Sequence, residues 1–446
     1  MFIDGLIYST IAHNLSEGIG TFWAPVLKNS EFLFFKGEIF YDHPPMVFGI
    51  ESVFFRLFGE HGEWIYNIVI VLLLLYAVLL LFRAFCTQKK DALKYGFIPI
   101  LFLFLMPEFV QKATYNLLDS TLAVFTCLSV YFILLALQHQ KQVWRNLILG
   151  AVFLVFAVLS KGPVGLFPLA TPFLYYLIMP GNAKLKSTLF STGVVFLVTL
   201  LAGAIIYVYE PSRLFIEKYT QQQVVASVLG DREKTSSLFN HLSLLYKLFL
   251  QLLPTFVLIA VAAIVRWRKK LSIAKENQKA AIFFLLIALS ASLPIALSAK
   301  HHSFYLIPSF AFFSLAATFY VKDLITLSYL NSLRRWNFAG SAVWIIVTIT
   351  IFLYSFIRPE KYYFSHRQFL KEMEVFAPAI PRQSTICVSD SLLTLRGDIS
   401  CNLERYFQFD LTSDTSACQY ILSYRSAAIS NDQLIAETTN FKVFKK

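Results

Sequence analysis

Residues 64–82 read WIYNIVIVLLLLYAVLLLF, an uncharged and almost wholly apolar run. A helix needs about 20 such residues to cross the hydrocarbon core of a bilayer. Runs of the same kind recur at 97–112, 119–137, 146–160, 163–179, 188–208, 251–265, 279–299, 303–321 and 338–357. Those at 97–112, 146–160, 163–179 and 251–265 are short or interrupted, as expected of re-entrant segments or of spans fused with a neighbour. Pro163, Pro168 and Pro254 stand near expected helix starts, where the missing N–H costs little. Of the 446 residues, 57% are hydrophobic and 15% charged, against about 25% charged in soluble domains. The 45 Phe and 22 Tyr exceed what water-soluble cores of this size bury. The sequence therefore predicts an all-α polytopic membrane protein of about ten spans.

The net charge of +12 is an orientation signal. Cations gather in alternate loops: Arg83, Lys89, Lys90 and Lys94; Lys141 and Arg145; Lys184 and Lys186; Arg266, Arg268, Lys269, Lys270, Lys275 and Lys279; Lys322, Arg334 and Arg335. The intervening loops carry cations at roughly one third of that density, so the first set faces the cytoplasm. A nucleic-acid footprint would be one clustered basic patch, which this pattern excludes. The segments 1–63 and 209–250 then become large extracytoplasmic loops. No span precedes 1–63 to carry it across, so an additional N-terminal helix is expected ahead of it; an N-out protein of ten helices is the alternative.

Residues 1–357 form the expected membrane domain. The tail, 358–446, follows the last span on the outer side. Its short runs STICVSD (384–390), CQYILSY (418–424) and FKVF (441–444) predict a small extracytoplasmic α/β domain. Cys387, Cys401 and Cys418 lie in it, and two of the three would pair in an oxidising compartment.

Ionisable groups at the ends of spans are expensive to place and mark functional candidates. Those of interest fall on the outer face. Asp4 opens FIDGLIYSTIAHNLSEGIGTFWAP (2–25), whose Ile11, Leu15 and Ile19 suggest an amphipathic helix on the membrane surface; an N-cap accounts for Asp4 equally. In YDHPPMVFGIESVFFRLFG (41–59), Asp42, His43 and two prolines make a rigid polar turn. In MPEFVQKATYNLLDSTLAVF (106–125), Asp119 enters a span at its outer end, where the helix dipole favours a carboxylate. Lys161 in SKGPVG (160–165) and Lys300 in SAKHHSFYLIP (298–308) follow apolar spans against the charge trend. Snorkelling explains them, and so does a phosphate site, to which His301 and His302 add donors.

The order of these motifs resembles that of the GT-C membrane glycosyltransferases of the dolichyl-phosphate-mannose protein mannosyltransferase type, with the bacterial lipid A aminoarabinose transferases. The resemblance rests on Asp4 to Asn14, His43-Pro44-Pro45-Met46 with Phe58-Gly59, Asp119, Ser160 to Pro163, and Lys300 with Tyr305, Leu306 and Pro308. It departs at Gly5, where an acidic residue usually follows the Asp, and at His43, where the aminoarabinose transferases have Lys. The family's first helix is also missing ahead of Asp4. The resemblance implies a GT-C fold in the bacterial inner membrane, with its active site on the periplasmic side. It implies inverting transfer of a sugar from a polyprenyl-phosphate donor to a lipid A, glycan, lipid or protein acceptor. Asp4 would serve as general base. Lys161 and Lys300, with His43, His301, His302 or Tyr305, would hold the donor phosphate. Asp119 would orient these groups or share a divalent metal with Asp4; metal use differs within the superfamily. Two other classes compete. A transporter or flippase of a lipid-linked saccharide would need ionisable or helix-breaking residues near mid-membrane, where these spans are nearly uncharged. A non-catalytic scaffold displaying the tail is the third.

Overall fold

A computed structural model of the chain describes residues 3–29, 37–86, 92, 94–139, 141–180, 184–225, 238–297, 302–324, 361–388, 397–414, 416–425 and 433–446. The chain divides into two compact units. One contains Met1–Tyr41, Phe48–Ile65 and Ile357–Lys446; the other contains Asp42–Val47 and Tyr66–Phe356.

The N-terminal part of the first unit holds α1 (Ile3–Ser16) and a two-stranded ribbon of β1 (Gly20–Thr21) and β2 (Ala24–Pro25), followed by α2 (Met46–Phe58). The second unit is built of α3 (Gly62–Ala84) from Tyr66 onward, α4 (Phe97–Phe104), α5 (Pro107–Lys112), α6 (Leu118–Gln138) and α7 (Val143–Lys161). A 3-10 stretch, Gly162–Ala170, leads into α8 (Thr171–Ile178) and α9 (Leu185–Val208). Then come α10 (Glu210–Tyr219), α11 (Leu238–Lys269), α12 (Lys275–Ser292) and α13 (Ile307–Val321).

Among the described residues, six helical stretches are long and apolar enough to cross a membrane: Met46–Ala84, Leu118–Gln138, Val143–Ile178, Leu185–Val208, Ser243–Lys269 and Ser303–Leu324. The stretch Val143–Ile178 is two passes. A Cβ at Gly165 would collide with the backbone of Ala157 and Val158, a closeness that eight residues of straight helix forbid. The chain therefore reverses at Gly162, whose φ is +76°.

Several sequence expectations change. The run 97–112 is not one span: α4 ends before Met106, held extended ahead of Pro107, which starts α5. The run 163–179 is half 3-10 and half α-helical. The run 251–265 lies inside the longer α11, with Pro254 in its interior rather than at its start; the run 279–299 ends as α-helix at Ser292. The expected span 338–357 lies outside the described residues.

Apolar stripes zip the second unit together. Ile133, Leu147, Ala151, Leu154 and Val195 bury one cluster across α6, α7 and α9, and Ser129 Oγ donates to the Gly150 carbonyl at 2.8 Å. Phe82, Phe85, Phe283, Phe284 and Phe319 interlock between the end of α3 and helices α12 and α13. This is where part of the large phenylalanine content goes.

The tail carries α14 (Lys361–Phe376), β3 (Thr385–Val388), α15 (Gly397–Phe407), β4 (Asp410–Thr412), β5 (Tyr420–Tyr424), β6 (Gln433–Glu437) and β7 (Phe441–Lys445). The sheet order is β4-β3-β5-β7-β6, with β3 parallel to both neighbours and β7 antiparallel to both of its own. The three runs read from the sequence are β3, β5 and β7; β4 and β6 carried no such signal. Phe369, Met373, Ile386, Ile399, Leu403, Leu422 and Val443 share one core. Cys387 of β3 is bonded to Cys418, with Cα atoms 5.5 Å apart, and Cys401 is a buried free thiol.

Within the first unit, α1 packs on α15 and is buried from Gly5 to Leu15 on every face. It is therefore not the surface helix that its sequence suggested. Several of its polar groups are paired: Thr10 Oγ1 donates to the Leu6 and Cys401 carbonyls at 2.8 and 3.3 Å, and Asn14 Nδ2 to Glu404 at 2.6 Å. Glu404 also accepts the Lys28 and Asn29 backbone N–H groups at 2.8 and 2.9 Å. Arg405, fully buried, pairs with Glu63, donates to Ser9 Oγ at 3.0 Å and lies over the Phe55 and Tyr406 rings.

Removing one partner of such a pair strands a buried charge. Arg405→Met is expected to destabilise the protein by about 3–5 kcal/mol, and Glu63→Met added to it to recover much of the loss. Thermal melts of the full chain in detergent check this; a single variant melting like wild type refutes it. Glu372 supplies a pH test. Burial pushes its carboxyl up, but donors from Thr438, Asn440 and Gln368 outweigh this and hold it below its ordinary value of 4.5. Its contribution is thus present above that pH and lost as pH falls through the lower folded value. Melting temperature is expected to fall with acidification below pH 4.5 less steeply in Glu372→Gln than in wild type.

Candidate functional site

Asp119 lies in the first turn of α6 and Lys161 in the last turn of α7. The two helices are antiparallel neighbours, so these ends meet. Each charge also suits its own helix end: carboxylates are favoured at N-termini and cations at C-termini. Lys161 Nζ donates to Asp119 Oδ2. The Asp119 side chain is 2% exposed and that of Lys161 11%. The ammonium also stands 4.0 Å from the centre of the Tyr305 ring and 5.5 Å from that of Phe304, a placement that the ring quadrupole favours. Asp119 Oδ1 is buried and has no hydrogen-bond partner among the described residues. A carboxylate oxygen in that state is an acceptor awaiting a donor.

The pair forms part of the wall of a cavity of about 520 Å³ in the second unit. Asp42 and His43 enter it from the turn before the Pro44-Pro45 pair, which fixes the backbone direction there. Tyr219 enters from the end of α10, Tyr305 from the turn before α13, and Pro163, Pro294 and Pro308 complete the wall. Tyr219 stacks on Phe215, and its hydroxyl lies against Gly162, where a Cβ would collide with it. Burial, and then the charge of Asp42, push the Tyr219 phenol well above its usual range. It is therefore a neutral hydrogen-bond donor at any working pH.

Four of the sequence-predicted residues, His43, Asp119, Lys161 and Tyr305, thus share one cavity. His302 is exposed; it stacks on Phe304 and meets Tyr305 edge-on without lining the cavity. Lys300 and His301 lie outside the described residues. Asp4 is half-buried in the first turn of α1, in the first unit. Asp42 and Tyr219 were missed as site residues. Asp42 was readable from its place beside His43 on a proline-locked turn; Tyr219, in a polar stretch, carried no motif. Among the described residues, no three His, Cys, Asp or Glu side chains gather to hold a metal ion.

Lys161 and Asp119 should be unequal in the fold. Lys161→Met strands a carboxylate that is almost fully buried, whereas Asp119→Asn leaves a cation still resting on two aromatic rings. The lysine variant is expected to lose about 3–5 kcal/mol and the asparagine variant clearly less. Equal melting temperatures for the two full-length variants would contradict this asymmetry.

Comparison with known proteins follows the same lines. The sequence profile of the family described as dolichyl-phosphate-mannose-protein mannosyltransferase matches residues 42–207, which include Asp42, His43, Asp119 and Lys161. An uncharacterized protein of Aquifex aeolicus is 26% identical over 241 residues, 50% of this chain and 47% of that protein; the match spans about half the length of this curated relative. Among solved structures, ArnT from Cupriavidus metallidurans in the apo state superposes with a TM-score of 0.61 at 14% identity, over 99% of this chain and 92% of that one. ArnT bound to undecaprenyl phosphate gives 0.60 at 13% identity, over 99% and 93%. The apo oligosaccharyltransferase of Archaeoglobus fulgidus gives 0.51 at 12% identity, over 94% and 65%. With its apolar helices, the chain is an integral membrane protein, and its fold is the GT-C fold of the membrane glycosyltransferases.

Proposed function

We propose that the protein transfers a sugar, with inversion, from a polyprenyl-phosphate donor to an acceptor hydroxyl on the extracytoplasmic face. The observation that carries this reading is the cavity where Lys161, held by Asp119, meets His43 and Tyr305. A lipid phosphate is a good leaving group, so the main need is stabilisation of its growing charge. Lys161 is an ammonium donor that Asp119 holds at the cavity wall. His43 lies on the same wall, and Lys300, by resemblance, adds a second cation. Asp119 orients Lys161 instead of acting on substrate.

A lipid donor also needs room for its chain. A second cavity of about 470 Å³ lies between α11, α12 and α13, lined mainly by apolar side chains such as Leu248, Leu252, Leu285, Leu289 and Phe313. The helices α12 and α13 wall both cavities: Leu285 and Leu289 line one and Ala291 the other, as Phe313 and Pro308 do on α13. Undecaprenyl phosphate bound to ArnT supports the same donor class. The outward side is supported by the charge bias and by the Cys387–Cys418 disulfide, a bond typical of oxidising compartments. The acceptor is a lipid A, glycan, lipid or protein hydroxyl, deprotonated as it attacks C1 of the sugar. Asp4, at the start of α1, is the proposed base.

Transfer of radiolabelled sugar from a polyprenyl-phosphate donor, in membranes holding the full chain, tests the reading. Asp4→Asn is expected to abolish transfer while membrane insertion persists. Near wild-type rates in that variant would remove Asp4 as base. Lipid-linked saccharide crossing the bilayer without sugar transfer would favour a flippase instead.

A further inference from the structure

Asp42 and Tyr219 face the same cavity as the Lys161–Asp119 pair but offer different chemistry. Asp42 contributes a carboxylate acceptor to the cavity lining and Tyr219 a phenol donor. A sugar hydroxyl is suited to both, because it can donate to a carboxylate and accept from a phenol at once. Both line the cavity, and the charge of Asp42 reaches the Tyr219 phenol, so a sugar held there is offered both groups. The Tyr219 hydroxyl makes no hydrogen bond among the described residues. Its position is nonetheless fixed, by the ring stack with Phe215 and by the absence of a side chain at Gly162. Tyr305 adds an aromatic wall.

We infer that Asp42 and Tyr219 form a sugar-reading pair, which selects the donor by a hydroxyl of its sugar while Lys161 and His43 take the phosphate. The inference rests on the polyprenyl-phosphate reading above. Sites built to hydrogen-bond a hydroxyl discriminate strongly against analogues that lack or misplace it, because their polar groups are then left unpaired.

The test measures binding to the full chain in detergent. The probes are bare undecaprenyl phosphate and the same lipid carrying mannose, glucose or arabinose. Wild type is expected to bind one sugar-loaded lipid at least about tenfold tighter than the bare lipid. Tyr219→Phe, which keeps the ring, is expected to erase that preference and leave affinity for the bare lipid within about twofold. Gly162→Ala, which drives a Cβ into the hydroxyl's place, should do the same wherever its melt matches wild type. Several outcomes overturn the inference: an intact preference in Tyr219→Phe, an equal loss for bare and loaded lipids, or a wild type that binds both alike. A wild type that binds none of the probes removes the donor reading itself, and the inference with it.

Discussion

One ion pair organises the site-bearing half of the molecule. Lys161 and Asp119 stand at the ends of antiparallel helices, the carboxylate almost wholly buried. The carboxylate is not tolerable there without the lysine. The pairing therefore fixes how α6 and α7 meet at this end of the bundle, and the reversal at Gly162 follows immediately. That reversal brings the 3-10 stretch back along α7 and opens the space against which Tyr219 rests. The rings of Phe304 and Tyr305 close over the ammonium from the start of α13. Segments from four parts of the chain thus converge on a pair that the bilayer's low dielectric makes obligatory.

The same pair bears on the two chemistries proposed for the cavity. Asp119 compensates the buried lysine, so under the proposed reading this ammonium meets an anion at modest electrostatic cost. Asp42 adds a carboxylate to the lining of the same cavity. The proposed donor, which carries both a phosphate and hydroxyls, would meet a group suited to each. Electrostatic complementarity of this kind supplies specificity and register more than raw affinity.

Legibility from the sequence followed the same physics. Membrane spans were readable because hydrocarbon demands long apolar runs, and α6, α7 and α9 were read almost to their ends. The reading failed where the backbone itself intervened. Pro107 splits the 97–112 run, and Gly162 and Gly165 turn the next pass into a mixed 3-10 and α segment; a hydropathy sum does not register either effect. At the site, Lys161 and Asp119 were legible as charges out of place, and His43 by its proline pair. Tyr219 was not, because its role comes from a contact with Gly162 across distant sequence. The helix α1 was misread for a related reason: the spacing of Ile11, Leu15 and Ile19 suggested a surface helix, and the partners that bury Ser9, Thr10 and Asn14 are supplied by α15.

That last misreading bears on what the tail does. Asn14 is held by Glu404, Ser9 by Arg405, and Thr10 donates to Cys401. The same Glu404 fixes the backbone at Lys28 and Asn29, and Asn29 in turn exchanges hydrogen bonds with Phe409 and Leu411. A buried helix with this many polar groups cannot keep its place without those partners, since each orphaned group carries a desolvation cost. The tail is thus not an appended module: without it, α1 has no reason to remain ordered in this position. Asp4 opens α1, so any role for Asp4 depends on α15 being folded. A covalent link between β3 and β5, made by Cys387 and Cys418, then stabilises the sheet on which α15 packs. Damage to that sheet would reach Asp4 through helix packing alone, without touching a single residue of the Lys161 cavity.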